Sequence, residues 1–356
     1  MRILTVIGNR PQFIKAAAVS PRLREVHEEL LVHTGQHFDD TLSAVFFDEL
    51  GLPAPDRELG IALGSNASQT ARMLAALEPI LAQAAPDAVL VYGDTNSTLA
   101  GALSGAQAGV PVAHVEAGMR SYDRSMPEEL NRVLTDHASA LLLCPSQAAV
   151  ENLRREAVGG QVELVGDVMV DVALAVAPAA RARFDLVSAR GLAPGEYVLA
   201  TAHRAGNVDD PARLRLLVKL LEGIPVPLLL ALHPRTEARL RDAGLLDRLR
   251  RAEHTILTPP LGYIELTALL TNARAVLTDS GGLQKEAYLA GVPCVTLRSS
   301  TEWGETVTHG WNVLVDLDRA AALGALQRDP PRSRPGLYGD GHAGQRVVDA
   351  LTLLRR

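Results

Sequence analysis

The feature that most constrains this chain is a series of short, continuously apolar segments separated by stretches with helical periodicity. Six of these segments occupy positions 2–7, 30–33, 88–92, 110–115, 140–144 and 162–165. Six more follow at positions 197–200, 228–231, 255–257, 275–278, 294–297 and 313–315. Strands that are apolar along their whole length are typical of parallel sheets covered by helices on both faces. Two successive series therefore predict an α/β protein with two Rossmann-like, doubly wound domains.

The length of the chain agrees with two domains. It has 356 residues, more than the roughly 250–300 at which a single core usually divides. The change between the two series predicts an N-terminal domain over 1–168 and a C-terminal domain over 169–356, with a last helix at 344–354. Ligands of doubly wound sheets bind outside the carboxyl ends of the strands, so we expect functional residues directly after strands.

Composition excludes several classes of function. The net charge of −6 gives no general attraction to nucleic acid or to an acidic membrane surface. The chain has no apolar run near the roughly 20 residues that cross a bilayer and no signal-peptide pattern at its start, which together predict a cytoplasmic location. Cys144 and Cys294 stand in apolar segments and are expected to be buried, inert thiols. No HxH, HExxH or CxxC spacing occurs, so we expect no catalytic metal.

Positively charged residues follow two of the predicted strands. The first strand leads through a glycine to Arg10 and Lys15, and the strand at 197–200 leads to His203 and Arg204. A histidine beside an arginine at a strand end suits a diphosphate. The chain contains no GxGxxG turn, so NAD bound in the usual Rossmann manner is not expected and no cofactor is predicted. For Arg10 and Lys15, these residues alone leave an ordinary surface turn open as the alternative.

The clearest phosphate-binding pattern follows the predicted strand at 275–278. Ser280, Gly281 and Gly282 open a helix there, and the backbone N–H groups and dipole at a helix start attract anions. Glu286 comes one turn later and could accept hydrogen bonds from ribose hydroxyls. An ordinary capped turn remains the alternative, because a strand, two glycines and a helix are only moderately specific.

Three carboxylates point to proton transfer. Asp94 and Glu116 each end a predicted strand, and Glu128 begins a helical segment after a proline. Carboxylates that converge on one site suit acid–base chemistry, because burial and neighbouring charges can separate their pKa values. An acid after proline is also what a helix start prefers, so Glu128 taken alone is as compatible with a structural role.

Nine short sequence motifs occur in order over positions 2–347. They read IGNRPQFIKA, VHTGQHFD, VYGDTNSTLAGAL, HVEAGMRS, MPEELNRVLTD, GDVMVD, TAHRAGN, LTDSGGLQKEA and YGDGHA. The set resembles the non-hydrolysing UDP-N-acetylglucosamine (UDP-GlcNAc) 2-epimerases. This resemblance implies a glycosyltransferase-B-like fold with a cleft between the two domains, a last helix that packs back on the first domain, and a homodimer. It also implies a UDP-sugar as the partner, with neither nucleic acid nor membrane.

The resemblance implies a role for each matching residue. The catalytic residues would be Asp94, Glu116, Glu128 and His203. The substrate-binding residues would be Arg10, Lys15, Arg204, Ser280, Gly281, Gly282 and Glu286. A second, regulatory site known in some bacterial members is matched by Gln36, His37 and His233.

Three segments depart from the family's usual pattern. Gln12 stands where the family has an acid, and positions 205–206 lack an arginine and a glutamate. Trp303 replaces an arginine near the nucleotide. These variants are similar to a subgroup that acts on UDP-2,3-diacetamido-uronic acids, so the exact sugar stays open between that class and UDP-GlcNAc.

The expected reaction is epimerisation at C2, which would interconvert UDP-GlcNAc and UDP-N-acetylmannosamine (UDP-ManNAc). No carbonyl carbon adjoins C2, so a base cannot simply remove its hydrogen, and transient oxidation would need a nicotinamide. Elimination of UDP and its re-addition avoid both difficulties, because positive charge at C1 acidifies the C2–H bond. A glycosyltransferase on the same fold, a hydrolysing epimerase and a non-catalytic sugar-nucleotide sensor are the alternatives.

Overall fold

The structure is a computed structural model that describes residues 1–36 and 51–354. The chain divides into two compact units. Unit 1 contains the described residues of Met1–Leu174 and Gly336–Arg356, and unit 2 contains Ala175–Pro335. The chain therefore enters unit 2 once and returns to unit 1 for its last helix.

Unit 1 is built on a parallel sheet. The strands found among its described residues are β1 (Arg2–Ile7), β2 (Glu28–His33), β3 (Arg57–Glu58), β4 (Ala88–Tyr92), β5 (Val112–Val115), β6 (Leu141–Cys144) and β7 (Gln161–Leu164). Their order is β3-β2-β1-β4-β5-β6-β7, with every neighbouring pair parallel. The chain reverses its direction of winding between β1 and β4, which is where ligands of such sheets bind.

Unit 2 repeats this arrangement. Its strands are β8 (Val198–Thr201), β9 (Leu228–Ala231), β10 (Thr255–Thr258), β11 (Ala275–Thr278), β12 (Cys294–Thr296) and β13 (Asn312–Leu314). Their order, β10-β9-β8-β11-β12-β13, is again fully parallel and follows the Rossmann order 3-2-1-4-5-6. In unit 2 the chain reverses its direction of winding between β8 and β11.

Helices connect the strands. In chain order, the described residues form α1 (Arg10–Val26), α2 (Asn66–Ala84), α3 (Asn96–Gln107), α4 (Pro127–Ala138), α5 (Gln147–Arg155), α6 (Val168–Arg181), α7 (Phe184–Ser188), α8 (Ala205–Val208), α9 (Pro211–Glu222), α10 (Pro234–Asp242), α11 (Leu246–Arg250), α12 (Tyr263–Thr271), α13 (Gly281–Ala290), α14 (Gly304–Thr308), α15 (Arg319–Leu326) and α16 (Ala343–Leu353). No helix in these parts of the chain is long and apolar enough to cross a membrane.

Burial explains why the apolar runs form strands. In unit 2, Val198 and Leu228 belong to one hydrophobic cluster, whereas Leu199 and Leu229 belong to another. Because successive side chains of a strand point to opposite faces, the sheet is covered on both sides. Each fully buried leucine or valine contributes roughly 1.5–3 kcal/mol to folding. The predicted α/β fold class is confirmed, and the predicted thiols at Cys144 and Cys294 are buried, which raises the pKa of both to about 12.

Helix α16 is fastened to unit 1 by hydrogen bonds at its start. The backbone N–H groups of Ala343 and Gly344 donate to the Asp171 carboxylate at 3.0 and 2.9 Å. A Cβ at Gly344 would collide with the Ala18 carbonyl of α1, so this position needs glycine for close packing. Near the other end of α16, Thr352 Oγ1 lies 2.9 Å from His27 Nε2.

Candidate active site

In unit 1, Gln12 ties the end of β1 to the end of β4. Its Oε1 accepts the Gly8 N–H at 2.7 Å, and its Nε2 donates to the Tyr92 carbonyl at 2.9 Å and to Thr98 Oγ1 at 2.9 Å. Gly8 has no room for a Cβ because the Ser97 side chain occupies that space. Gln12, which stands where the family has an acid, therefore has a structural role, because an ionised acid could not donate to the Tyr92 carbonyl.

Lys15 and Glu116 form a shielded ion pair at the ends of β4 and β5. The two side chains are 11% and 10% exposed, so little water screens their interaction. Gly93 lies beside them, and a Cβ there would stand 2.9 Å from Lys15 Nζ. The Glu116 backbone has φ 73°, a left-handed conformation that persists only where the surroundings enforce it and that clusters at functional sites.

Asp94 is held by helix α4. Its carboxylate pairs with Arg132 Nη2, and its carbonyl accepts a hydrogen bond from Asn131 Nδ2 at 3.1 Å. The Arg132 side chain is only 2% exposed and also donates to Glu129 at 2.8 Å. The guanidinium thus lies between two carboxylates and orients the one that ends β4.

The adjacent acids Glu128 and Glu129 have opposite surroundings. Glu129 is buried and accepts hydrogen bonds from the backbone N–H groups of Ser121 and Tyr122, both at 2.9 Å. Glu128 is half-buried and makes no hydrogen bond or ion pair with the described residues. Glu129 therefore holds the loop before α4, whereas Glu128 is available to a ligand.

In unit 2, Asp279 connects the ends of β8 and β11 through hydrogen bonds. It follows β11 and is fully buried. Its carboxylate accepts hydrogen bonds from the N–H groups of His203 and Arg204 at 3.0 Å and from Asn207 Nδ2 at 3.0 Å. One buried carboxylate therefore fixes the turn after β8, where the predicted His203 and Arg204 lie.

The start of α13 has the features of an anion-binding turn. Ser280 caps the helix, and its N–H donates to Thr278 Oγ1 at 2.9 Å. Gly282 is exposed, and a Cβ there would meet nothing closer than Ser280 Oγ at 3.9 Å. Gly281 is buried instead, and a Cβ there would collide with the Glu302 carboxylate. The helix start is therefore open at Gly282, where N–H groups and the helix dipole favour an anion.

Charged groups surround this turn. Glu302 pairs with Arg298 at 2.9 Å and lies 3.9 Å from Arg204 Nη2. Lys285 is 1% exposed, and its Nζ stands 4.4 Å from the centre of the Trp303 ring. Such a cation–π contact is stronger when the cation is desolvated, so Trp303 gives the buried lysine a favourable neighbour.

Two of the three residues predicted for a regulatory site lie among the described residues, Gln36 in unit 1 and His233 in unit 2. Gln36 Oε1 accepts hydrogen bonds from Ser97 N–H at 3.0 Å and Ser97 Oγ at 2.7 Å, at the start of α3. His233 caps α10 through Nδ1, and its ring stacks on His203 at 5.2 Å. His37 lies outside the described residues. A regulatory role for all three stays a prediction.

Known proteins are similar to this chain in sequence and in fold over nearly its whole length. A family model described as UDP-N-acetylglucosamine 2-epimerase matches residues 22–352. The chain is 45% identical to the UDP-2,3-diacetamido-2,3-dideoxy-D-glucuronate 2-epimerase of Pseudomonas aeruginosa, covering 99% of this chain and 100% of that one. It is 44% identical to a UDP-N-acetylglucosamine 2-epimerase homolog of Methanococcus maripaludis, with 99% of each chain covered.

Comparison with solved structures indicates the same family. The crystal structure of Methanocaldococcus jannaschii UDP-GlcNAc 2-epimerase in complex with UDP-GlcNAc and UDP has a TM-score of 0.93 at 38% identity, covering 99% of this chain and 100% of that one. The chain belongs to the UDP-N-acetylglucosamine 2-epimerase family. It is therefore an isomerase with the glycosyltransferase-B-like fold of that family, as the sequence predicts.

Within this epimerase, each unit brings together part of the predicted set. Unit 1 groups Lys15 with Glu116 and places Arg10 at the first turn of α1, half-buried. Unit 2 joins the His203–Arg204 turn to the turn after β11, and Glu286 lies half-buried on α13. These placements are compatible with the predicted roles.

Two residues that hold predicted site residues in place escape the sequence prediction. Arg132 holds Asp94, and Asp279 holds the turn after β8. The sequence signal for Asp279 is its place directly after a buried strand, because a carboxylate there must find partners or stay near solvent. No sequence signal marks the contact of Arg132 with Asp94, because the two residues lie 38 positions apart.

Proposed function

We propose that this epimerase interconverts UDP-GlcNAc and UDP-ManNAc by elimination and re-addition of UDP. The observation that carries the proposal is the pair of carboxylates, Asp94 and Glu116, each at the end of a central strand of unit 1 and each beside a cation. We propose that unit 1 acts on the sugar and that unit 2 binds the nucleotide.

The first half of the reaction would break the C1–O bond. UDP leaves with the bonding electrons, a carboxylate takes the C2 proton, and a C1–C2 double bond forms in a 2-acetamidoglucal. In the second half, a UDP oxygen attacks C1 again and a proton reaches C2 from the opposite face. No oxidant is required, because charge development at C1 makes the C2 proton acidic.

Unit 2 would stabilise the departing UDP. Donors aimed at developing negative charge are most effective when they are fixed in advance. Asp279 fixes the turn that carries His203 and Arg204, and the start of α13 is open at Gly282. The ribose hydroxyls would reach Glu286, and Arg10 and Lys15 of unit 1 would add positive charge to the diphosphate.

Unit 1 would move the proton. Glu116 is held in a left-handed backbone beside Lys15, and Asp94 is oriented by Arg132. Glu128 has no protein partner in the described parts of the chain, which leaves its carboxylate available to the sugar. A positioned acid or base is worth about 10²–10⁴ in rate, so these carboxylates can account for much of the acceleration.

A second candidate substrate is a UDP-2,3-diacetamido-uronic acid. The observation that favours it is the buried contact of Lys285 with Trp303, at positions where the sequence departs from the usual family pattern. The relative from Pseudomonas aeruginosa that acts on such a sugar is 45% identical. The additional carboxylate of the sugar would pair with a cation such as Arg204, Arg298 or Lys285.

A product assay with both nucleotides tests the proposal. The purified protein is incubated separately with UDP-GlcNAc and with the diacetamido-uronic acid nucleotide, and the products are followed by NMR. We expect the C2 epimer of UDP-GlcNAc without net release of UDP. Turnover of the uronic acid nucleotide alone would favour the second candidate. Stoichiometric UDP with free N-acetylmannosamine would indicate a hydrolysing enzyme, and transfer to an added acceptor would indicate a glycosyltransferase.

The homodimer and the cytoplasmic location expected from the sequence remain part of this proposal. Light scattering of the purified protein at several concentrations tests the first. A mass near twice the 37.9 kDa of one chain supports a dimer, whereas a single-chain mass at all concentrations contradicts it.

A further inference from the structure

A buried cluster centred on Asp136 lies behind the strand ends of unit 1. Asp136 belongs to α4 and is fully buried. Its Oδ1 stands 2.7 Å from His114 Nδ1, and its Oδ2 accepts hydrogen bonds from Arg120 Nη1 at 2.7 Å and Gly118 N–H at 3.1 Å. Burial raises the pKa of Asp136, but His114 and Arg120 outweigh that effect and bring the pKa below its usual value. The carboxylate is thus anionic and fully hydrogen-bonded.

One branch of the cluster leads to Asp94. His114 lies on β5 and is also fully buried. Its Nε2 stands 2.7 Å from the Gly93 carbonyl oxygen, and because that oxygen can only accept, the ring nitrogen donates. Gly93 directly precedes Asp94 and has φ 66°. The His114 ring therefore holds the peptide from which Asp94 extends.

The other branch leads to Glu116. The left-handed backbone of Glu116 needs contacts on both sides to persist. On one side, the N–H groups of Glu116 and Ala117 donate to the Leu143 carbonyl at 3.0 and 3.2 Å. On the other side, the next N–H along the turn, that of Gly118, donates to Asp136. The same carboxylate therefore acts on both turns that carry the proposed acids.

We propose that Asp136 and His114 are positioning residues for proton transfer at C2, acting through the Gly93 carbonyl and the Gly118 N–H on the backbone of Asp94 and Glu116. The inference rests on the proposed function. Both side chains are fully buried and cannot touch the sugar. Their effect would be on where the two carboxylates stand, and a misplacement of about 1 Å can lower a rate about 100-fold.

A purely structural role for the cluster makes a different prediction. Arg120 also forms a double ion pair with Glu156, at 2.8 and 2.7 Å, toward the surface. If the cluster only stabilised the fold, loss of any member would lower the unfolding temperature and leave the catalytic step of the folded enzyme unchanged. If it positions the acids, loss of the His114 contact to Gly93 would slow proton transfer in particular.

Two substitutions of the same histidine separate these roles. In His114→Asn the shorter amide can still reach Asp136 but not the Gly93 carbonyl, whereas in His114→Gln the amide can reach that carbonyl. The measurement is the rate at which deuterium from heavy water enters C2 of UDP-GlcNAc, together with the dissociation constant of UDP by calorimetry. We expect His114→Asn to exchange about 100-fold more slowly with unchanged UDP binding, and His114→Gln to recover most of the rate.

Glu156→Gln is the matched control, because it weakens the outer ion pair and leaves the contacts of His114 in place. It should lower the unfolding temperature and keep the exchange rate. Asp136→Asn replaces His114→Asn if that variant does not fold. If the wild-type enzyme epimerises UDP-GlcNAc without exchange, the proposed function fails. If the wild-type enzyme incorporates deuterium at C2 and His114→Asn does so equally fast, the positioning role is wrong. The same conclusion holds if Glu156→Gln lowers the rate of deuterium incorporation as much as His114→Asn does.

Discussion

The two units have the same order of central strands, yet their strand ends carry different kinds of groups. In unit 1, side chains form ion pairs, Lys15 with Glu116 and Arg132 with Asp94. In unit 2, backbone N–H groups converge on the buried Asp279, and the glycine turn beyond it is open. The shared topology determines where a site can form, whereas the residues at the strand ends determine its chemistry. We expect the unit 1 set to govern catalytic rate and the unit 2 set to govern nucleotide affinity.

The largest effect should follow from Glu116→Gln in unit 1. The amide cannot take a proton as a carboxylate does, so kcat should fall about 10²–10⁴-fold. Steady-state kinetics with UDP-GlcNAc measures this, and calorimetry should show that UDP binding changes far less than kcat. Glu25→Gln, at an exposed position of α1, is the control and should keep full activity. A loss confined to KM would contradict a catalytic role for Glu116.

The neighbouring acids Glu128 and Glu129 of α4 allow a catalytic role and a structural role to be separated within unit 1. Glu129→Gln removes the charge of one of the two carboxylates that pair with the buried Arg132, which should lower the free energy of unfolding by about 1–3 kcal/mol. Glu128→Gln should leave that free energy almost unchanged and lower kcat. Denaturant unfolding and kinetics on both variants provide the check. The reverse pattern would assign the functional role to Glu129.

In unit 2, Asp279→Asn should weaken nucleotide binding more than it slows the chemical step. The amide offers one acceptor oxygen where the carboxylate offers two, and its NH2 group would face donor groups of this turn, so the hydrogen bonds that hold His203 and Arg204 would be weakened. A lost buried hydrogen bond costs about 1–3 kcal/mol, and we expect a similar loss in UDP binding free energy by calorimetry. Asp209→Asn, on an exposed ion pair with Arg235, should bind UDP normally. Unaltered UDP binding in Asp279→Asn would contradict the expectation that the unit 2 residues govern nucleotide affinity.

The smallest effect should come from Gly282→Ala. The added methyl meets no protein atom closer than Ser280 Oγ at 3.9 Å, so the unfolding temperature should hold. UDP affinity should fall about tenfold, or about 1.4 kcal/mol, because the methyl would stand where the phosphates approach. Gly281→Ala should lower both quantities, since its methyl collides with Glu302. Full UDP affinity in Gly282→Ala would argue against phosphate at this turn.

Sequence patterns predict most of the fold because most of the strands contain buried apolar runs. The runs at 88–92 and 228–231 match β4 and β9 at both ends. Strand β3 could not be predicted, because its two residues, Arg57–Glu58, are exposed at the sheet edge and show no apolar pattern. A buried apolar run therefore makes a strand recognisable from sequence, and β3 lacks that signal.

The candidate site is predictable to the extent that it depends on strand ends. Asp94 and Glu116 could be located because each follows an apolar strand. Their orientation could not, because the contacts of Asp94 with Arg132 and of Gly118 with Asp136 join segments that meet only after folding. Gln12 shows the same limit, since its three hydrogen bonds to strand ends and α3 depend on register and packing.

The most direct test of the proposed mechanism is epimerisation of UDP-GlcNAc in heavy water, stopped after a few per cent conversion. If UDP leaves before the hydrogen at C2 moves, the newly formed UDP-ManNAc should carry one solvent deuterium at C2, detected by mass spectrometry and NMR. UDP-ManNAc that forms with only protium at C2 would contradict elimination and re-addition of UDP.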